Sequence, residues 1–130
     1  MRMELLTDGV YQLGAGMVNS YIIDGDEGVT LVDALVRGRE GAIAQNLKEM
    51  GRTLDDVRAI LLTHSHHDHT GSASVIKAAS GAEVYASEAD TPAIQGAVKP
   101  PNPPSHCYWR PMFWPAALFA APPVEVDRFV

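Results

Sequence analysis

Four of the five histidines in the chain lie in the short segment from His64 to His69, together with Asp68. Neutral imidazole and carboxylate groups are the usual protein donors for Zn²⁺, and Fe²⁺ and Mn²⁺ are alternatives. The only cysteine, Cys107, lies far along the chain, so no soft ligand favours zinc outright. Metal binding is the simplest explanation for this concentration of side chains.

The spacing of these residues suggests how they would share metal ions. A tight loop can direct residues two apart towards one point, so His64 and His66 are expected to bind one ion. Asp68 and His69 would then bind a second ion close by. Paired ions of this kind lie about 3.5–4 Å apart and lower the pKa of the water between them to about 7. The resulting hydroxide would be the nucleophile.

The segments upstream alternate in a way that predicts the elements supporting this loop. Short alternating runs predict three antiparallel strands at residues 10–13, 19–24 and 29–32, the last two forming a hairpin. Apolar residues spaced by one helical turn predict a helix over residues 39–50. The continuous apolar run 59–62 predicts a strand buried on both faces, directly before the histidines.

Downstream of that strand, residues 63–71 are too polar for the core and are expected to form a loop, a common place for chemistry. Three further elements are predicted after the loop: a short helix starting near Ser72 or Ser74, a strand at residues 83–86, and a final strand at residues 124–130. Residues 88–98 are compatible with a helix.

The segment T-H-S-H-H-D-H-T-G resembles the H-x-H-x-D-H motif of the metallo-β-lactamase superfamily, in the same position after a buried strand. Upstream, V-N-S-Y-I-I-D and V-T-L-V-D-A resemble the opening strands of that family. The resemblance implies that His64 and His66 ligate the first zinc ion, and that Asp68 and His69 ligate the second. It also implies that Asp68 orients the attacking water and that Asp33 supports the ligands from behind.

Three residues near this pattern have competing interpretations. An aspartate after a strand is often only a turn or helix cap, which is the alternative for Asp33. His67 occupies a variable position of the motif and is expected at the loop or pocket mouth. His106 lies in a proline- and aromatic-rich insert at residues 99–123 and is not assigned to the metal.

The resemblance implies an α/β fold, with a mixed sheet and flanking helices that correspond to the N-terminal half of the family's αββα sandwich. Residues 1–130 would form one partial domain. The family's later motifs, a P-G-H-T-like turn, a bridging aspartate and a final histidine, have no counterpart in this sequence. Half a sandwich leaves one inner sheet face uncovered, which favours a homodimer or pairing with a missing C-terminal half.

The resemblance implies a metal-dependent hydrolase of small molecules, in which activated hydroxide attacks an ester, thioester, lactone or lactam carbonyl. Activity is expected to be weak, because each ion would have only two protein ligands. The alternative is a catalytically silent metal-binding or interaction fragment. The nuclease branch of the family ranks last.

Composition and charge bear on the partners and the compartment. The chain has 10 Lys and Arg against 16 Asp and Glu, a formal charge of -6, which argues against nucleic acid as a partner. Its single cysteine and its start, which does not resemble a secretory signal, favour the cytoplasm. The most apolar stretch, Met112 to Ala121, is shorter than the roughly 20 residues that cross a bilayer, so no membrane contact is expected.

Overall fold

The computed structural model describes residues 1–99 and 120–130, which form a seven-stranded sheet with flanking helices. The strands are β1 (Arg2–Thr7), β2 (Val10–Ala15), β3 (Val18–Gly25), β4 (Gly28–Val32), β5 (Val57–Leu61), β6 (Glu83–Ala86) and β7 (Arg128–Phe129). The helices are α1 (Glu40–Glu49), α2 (His67–Thr70), α3 (Ala73–Ser80) and α4 (Thr91–Ile94), with a 3₁₀ turn at Leu54–Asp56.

The strands lie side by side in chain order, but their directions change halfway across the sheet. Strands β1 to β4 pair antiparallel, whereas β4 to β7 pair parallel. Short turns suffice for the antiparallel half, while the parallel strands need longer connections, which carry the helices. The mixed sheet with flanking helices confirms the predicted fold class.

One face of the sheet carries the hydrophobic core. Ile22, Leu31, Ile60 and Val84 are directly paired across β3, β4, β5 and β6, and all four are fully buried. Apolar side chains of α1 and α3 belong to the same buried cluster, namely Ile43, Leu47, Ala73 and Ile76. This packing holds the carboxyl ends of β4 and β5 next to each other, where the histidine segment begins.

Several predicted elements are confirmed with small changes of boundary. The three upstream strands and their hairpin are present, the predicted helix forms over Glu40–Glu49, and β6 has the predicted bounds. The helix after the loop forms as α3, and Ser72 precedes it. The hydroxyl of Ser72 makes no cap hydrogen bond, however, and its oxygen accepts from the backbone N–H of Arg39 at 3.1 Å instead.

Other predictions were wrong in extent. The predicted strand at residues 59–62 is not buried on both faces, since Ala59 and Leu61 are only half-buried. The histidine loop contains a helical turn, α2, and the stretch 88–98 is helical only at Thr91–Ile94. The final strand is limited to Arg128–Phe129, which form the two pairs with β6.

Strand β1 was not predicted, and it forms the outer edge of the antiparallel half of the sheet. Most of the proposed insert 99–123, including His106, lies outside the described residues. Within the described part of the chain, no helix is long and apolar enough to cross a membrane.

Candidate metal centre

The helical turn α2 determines where two of the four motif residues lie. The carbonyl of His66, the residue before α2, accepts hydrogen bonds from the backbone N–H groups of His69 and Thr70, both at 3.0 Å. The hydroxyl of Thr70 donates to the same carbonyl at 3.2 Å. These bonds form one turn at the end of the loop, and the turn brings Asp68 and His69 back towards His64.

Three motif side chains converge at this point. His64, Asp68 and His69 each offer one ligand atom, and the three atoms lie within 4.8 Å of one another. The Nε2 atom of His69 is 3.6 Å from Oδ2 of Asp68, and the ring centroids of His64 and His69 are 4.1 Å apart. Two imidazoles and a carboxylate, all half-buried, form a donor set typical of a divalent metal site.

His66 lies beside this group but is not part of it. Its ring centroid is 4.7 Å from that of His64, in an edge-to-face arrangement. The expectation from spacing paired His64 with His66 and Asp68 with His69, whereas the structure groups His64 with Asp68 and His69. The difference arises because α2 turns the second pair towards the first.

Asp33, the first residue after β4, lies directly behind the cluster. Its Oδ2 atom accepts hydrogen bonds from Nδ1 of His69 at 2.7 Å and from the hydroxyl of Thr63 at 2.8 Å. Its Oδ1 atom accepts one from the backbone N–H of Thr63 at 2.8 Å. Burial tends to raise the pKa of Asp33, but the hydrogen bonds from His69 and Thr63 outweigh it, so the pKa lies below its ordinary value. The carboxylate is therefore charged at neutral pH.

The same network assigns the tautomers of two histidines. The single hydroxyl proton of Thr63 is donated to Asp33, so the contact of 2.9 Å between this oxygen and Nδ1 of His64 is a hydrogen bond donated by the histidine. Nδ1 of His69 likewise donates to Asp33. In its neutral form, each ring then has its lone pair on Nε2, the form in which histidine binds metal.

The pKa shifts of these two histidines differ in sign. Burial, and then the neighbouring His69 and His66, lower the pKa of His64 and keep its ring neutral. The hydrogen bond to Asp33 raises the pKa of His69, which makes its free nitrogen more basic. A neutral ring and a basic ring beside a carboxylate fit a divalent metal ion.

The strand end at Asp33 is also hydrogen-bonded directly to α2. Asp33 and Leu35 have positive φ values of 59° and 56°, so the backbone turns sharply after β4. The N–H of Ala34 donates to the carbonyl of His69 at 2.6 Å. A Cβ added to Gly71 would overlap the backbone of residues 35–37, so the end of α2 approaches this turn as closely as a glycine permits.

On its other side, the motif loop contacts the start of α4 and the end of the proposed insert. Asp90 accepts a hydrogen bond from the N–H of Ser65 at 3.1 Å, and bonding to Ser65 is the main reason that the pKa of Asp90 is lowered. Nδ1 of His67 accepts one from the N–H of Ala121 at 3.1 Å. A cavity of about 300 Å³ lies here, lined by Ser65, His67, Thr70, residues around α4, and residues 121–123.

Three residues that hydrogen-bond to the motif loop or to Asp33 were not predicted from the sequence: Thr63, Asp90 and Ser20, whose hydroxyl donates to the carbonyl of Asp33 at 2.6 Å. Thr63 directly precedes the first motif histidine, and this position in the sequence could have indicated a role in the site. Ser20 is a buried polar residue among apolar neighbours on its face of β3, which is a weaker signal. Asp90 carries no signal in the sequence, because its role depends on how α4 folds back against the loop.

Curated relatives match the part of the chain that includes this site. An uncharacterized protein of Bacillus subtilis, YobT, is 38% identical over 80 residues, covering 61% of this chain and 33% of the relative. The exodeoxyribonuclease WalJ of Streptococcus pneumoniae is 36% identical over 70 residues, covering 54% of this chain and 25% of that enzyme. The chain thus spans a third or less of these relatives, and the exodeoxyribonuclease leaves the predicted exclusion of nucleic acid unsupported.

The fold also matches solved structures. The chain resembles BJP-1, a subclass B3 metallo-beta-lactamase of Bradyrhizobium japonicum, with a TM-score of 0.81 and 31% sequence identity. The match covers 100% of this chain and 45% of BJP-1. The sequence profile of the metallo-beta-lactamase superfamily matches residues 13–123, which include every element from β3 to α4. The chain therefore belongs to the metallo-beta-lactamase superfamily.

Proposed function

We propose that this chain carries the metal-binding part of a hydrolase site, with His64, Asp68 and His69 as ligands of a zinc ion. The observation that carries the proposal is the convergence of their three ligand atoms within 4.8 Å. The hydrogen bond from Nδ1 of His69 to the buried carboxylate of Asp33 supports it, because such partners orient ligating histidines.

The number of donors favours one ion for this group. Catalytic zinc sites commonly use three protein ligands and leave a fourth position open for water or substrate. The three-residue group supplies that number, and His66 lies near enough to His64 to be a further ligand. We therefore expect one zinc ion per chain, and we keep His66 as a candidate ligand.

Zinc held by such donors supplies Lewis acidity, which acidifies water and polarises a carbonyl group. The residues of the chain provide the remaining functions. Because Nδ1 of each histidine bonds to Thr63 or Asp33, Nε2 is the atom of His64 and of His69 left to bind metal, and the bond to Asp33 orients the ring of His69. The Asp68 carboxylate can accept a proton or hydrogen bond from the attacking water and so orient it.

The proposed substrates are small molecules with an electrophilic carbonyl, namely esters, thioesters, lactones or lactams. The name of BJP-1 as a beta-lactamase supports the lactam class. The cavity of about 300 Å³ beside the motif loop, lined by Ser65, His67 and Thr70, offers room for part of such a substrate.

Metal content tests the ligand assignment. We expect the chain to retain about one zinc ion after dialysis against buffer, and we expect His69→Ala and Asp68→Ala each to lose it. The matched control is His67→Ala, which removes a histidine from the same turn but outside the three-residue group. Unchanged zinc content in both His69→Ala and Asp68→Ala would refute the assignment, as would an equal loss in the His67→Ala control.

Two further candidates follow from specific observations. A silent metal-binding module is favoured by the coverage of only 45% of the BJP-1 chain. It predicts bound zinc without turnover of lactone, thioester or lactam reporters. A nuclease activity is favoured by the 36% identity to WalJ over 70 residues. It predicts zinc-dependent shortening of linear DNA, which the Asp68→Ala variant would not catalyse.

A further inference from the structure

We propose that Ser20 is a positioning residue for the candidate metal centre, acting through the backbone of Asp33. The expected effect of Ser20 on metal affinity rests on the proposed function. The expected effect of Ser20 on the orientation of the His69 ring does not. Ser20 lies in β3, and the hydrogen bonds of its hydroxyl go to backbone carbonyls and not to the three proposed ligands. Its influence passes through one peptide group.

The hydroxyl of Ser20 is fully buried and bonds to the turn that follows β4. It donates to the carbonyl oxygen of Asp33 at 2.6 Å, and it lies 3.1 Å from the carbonyl oxygen of Val32. Its neighbours on the same face are apolar: Leu13 is its partner across the β2–β3 pair, and Ile22, two residues further along β3, is the next residue on that face. A polar side chain at such a position is costly unless it is hydrogen-bonded, and the carbonyl of Asp33 supplies the partner.

The bonded carbonyl belongs to a residue with an unfavourable backbone conformation. Asp33 has a φ of 59°, a left-handed value that is uncommon for residues with a Cβ, although aspartate adopts it more readily than most of them. The N–H of Asp33 is held by the carbonyl of Leu61 at 2.8 Å. Its carbonyl is held by Ser20 at 2.6 Å. The side chain of Ser20 thus supplies the hydrogen bond to the carbonyl of Asp33 and helps to hold this residue in its left-handed conformation.

The orientation of Asp33 then decides that of His69. The Asp33 carboxylate accepts hydrogen bonds from Nδ1 of His69 at 2.7 Å and from Thr63. Both bonds can form only when the side chain of Asp33 has one particular orientation relative to the backbone. Without the Ser20 hydroxyl, the buried carbonyl of Asp33 loses this partner, and the turn can relax towards an ordinary φ. The carboxylate would move with it, and His69 would lose its fixed ring orientation.

A simpler explanation is that the hydrogen bond of Ser20 only gives its buried hydroxyl a partner and has no effect on Asp33. In that case, replacing Ser20 by alanine would leave the site unchanged. Ser80 offers a matched control, because its hydroxyl also donates to a backbone carbonyl, that of Ile76 at 2.8 Å, in the last turn of α3. Ser20→Thr keeps the hydroxyl in a strand, where threonine is well tolerated.

The first measurement is binding of Co²⁺, which replaces zinc and reports ligand geometry by its visible absorption bands. We expect Ser20→Ala to weaken Co²⁺ binding about tenfold and to change the absorption bands, as loss of outer hydrogen bonds does. Ser80→Ala should bind like the parent chain, and Ser20→Thr should restore much of the affinity. Equal affinity and identical bands for Ser20→Ala and the parent chain would overturn the inference.

The second measurement needs no metal. In the metal-free chain, NMR of ¹⁵N-labelled imidazoles should show an Nδ1 proton of His69 that exchanges slowly with water because Asp33 holds it. We expect this exchange to become at least several-fold faster in Ser20→Ala but not in Ser80→Ala. A parent chain that has the slow proton but binds no Co²⁺ would refute the proposed function while leaving the positioning role intact. Unchanged exchange in Ser20→Ala would refute the positioning role.

Discussion

The carboxylate of Asp33 serves both histidines of the three-residue group. It accepts directly from His69 at 2.7 Å and is linked to His64 through the hydroxyl of Thr63. The side chain of Asp33 is only 6% exposed, so these bonds are made in a poorly solvated place where an unpaired polar group is costly. The three groups that face this carboxylate, the N–H and hydroxyl of Thr63 and Nδ1 of His69, are all donors. An ionised carboxylate can accept from all of them because both of its oxygens are acceptors.

Replacing Asp33 by asparagine should therefore damage both stability and metal binding. The amide has one oxygen and one NH₂ group, so at least one donor, from Thr63 or His69, would face another donor. We expect Asp33→Asn to lower the free energy of unfolding by about 1–3 kcal/mol and metal affinity by about 10–100-fold. Urea unfolding and Co²⁺ titration would measure the two effects.

The control for this change is Asp26→Asn, in the exposed turn between β3 and β4. Exposed substitutions of this kind usually alter stability by less than about 0.5 kcal/mol. If Asp33→Asn unfolds at the same urea concentration as Asp26→Asn and binds metal equally well, Asp33 has no supporting role in the site.

At the scale of elements, the site depends on the close approach of the end of α2 to the turn after β4. Gly71 has an ordinary helical φ of -53°, so a side chain there is not excluded by backbone conformation. It is excluded by space, because a Cβ would lie 2.6 Å from the carbonyl oxygen of Leu35 and closer still to the next two residues. Any added atom must push α2 away from Ala34, whose N–H bonds to His69.

Gly71→Ala should consequently destabilise the chain by about 1–3 kcal/mol or more, through steric overlap alone. Gly41→Ala is the matched control: it lies in α1, nothing lies within 4 Å of its added Cβ, and alanine favours a helix by about 0.5–1 kcal/mol. Thermal unfolding should therefore shift in opposite directions for the two variants. A melting temperature for Gly71→Ala at or above that of the parent chain would contradict this account of the packing.

The elements that could be predicted from the sequence are those with a clear hydrophobic pattern. Helix α1 buries Ile43 and Leu47 one turn apart, and the β3–β4 hairpin alternates apolar and polar residues around a glycine-rich turn. Strand β1 has no such pattern, since Leu5 and Leu6 are both exposed and Met3 is half-buried. Helix α2 is a single turn held by local hydrogen bonds to His66, which leave no periodic signal.

The motif residues could be singled out from the sequence, but their arrangement could not, and their role as metal ligands stays a prediction. The H-x-H-x-D-H spacing identifies the four motif residues, and their grouping depends on the unexpected turn α2. The supports of the site depend on contacts between distant parts of the chain. Ser20 bonds a carbonyl 13 residues away, and Thr63 bonds a carboxylate 30 residues away. Such contacts follow from strand order and register, which local patterns do not specify.

At the scale of the whole molecule, one aspartate joins the outermost parallel strand to the rest of the fold. Asp127, directly before β7, accepts hydrogen bonds from Nζ of Lys77 in α3 at 2.6 Å and from the N–H of Val84 in β6 at 2.7 Å. Strand β7 itself contributes only two residue pairs to the sheet. The side chain of Asp127 therefore adds two hydrogen bonds to those that the backbone makes along this edge, such as the bond from the N–H of Asp127 to the carbonyl of Val84 at 2.9 Å.

The Asp127 attachment should make stability depend on pH. The hydrogen bond from Lys77, followed by that from Val84, lowers the pKa of Asp127 below its ordinary 3.8. Its contribution is complete above about 3.8 and is lost as the pH falls through the lower, folded value. We expect Asp127→Asn to be less stable than the parent at neutral pH and to lose less stability on acidification, measured by urea unfolding across that range. Asp33 and Asp90 also have lowered pKa values, so some acid sensitivity remains; an unaltered pH dependence in Asp127→Asn would contradict the assignment.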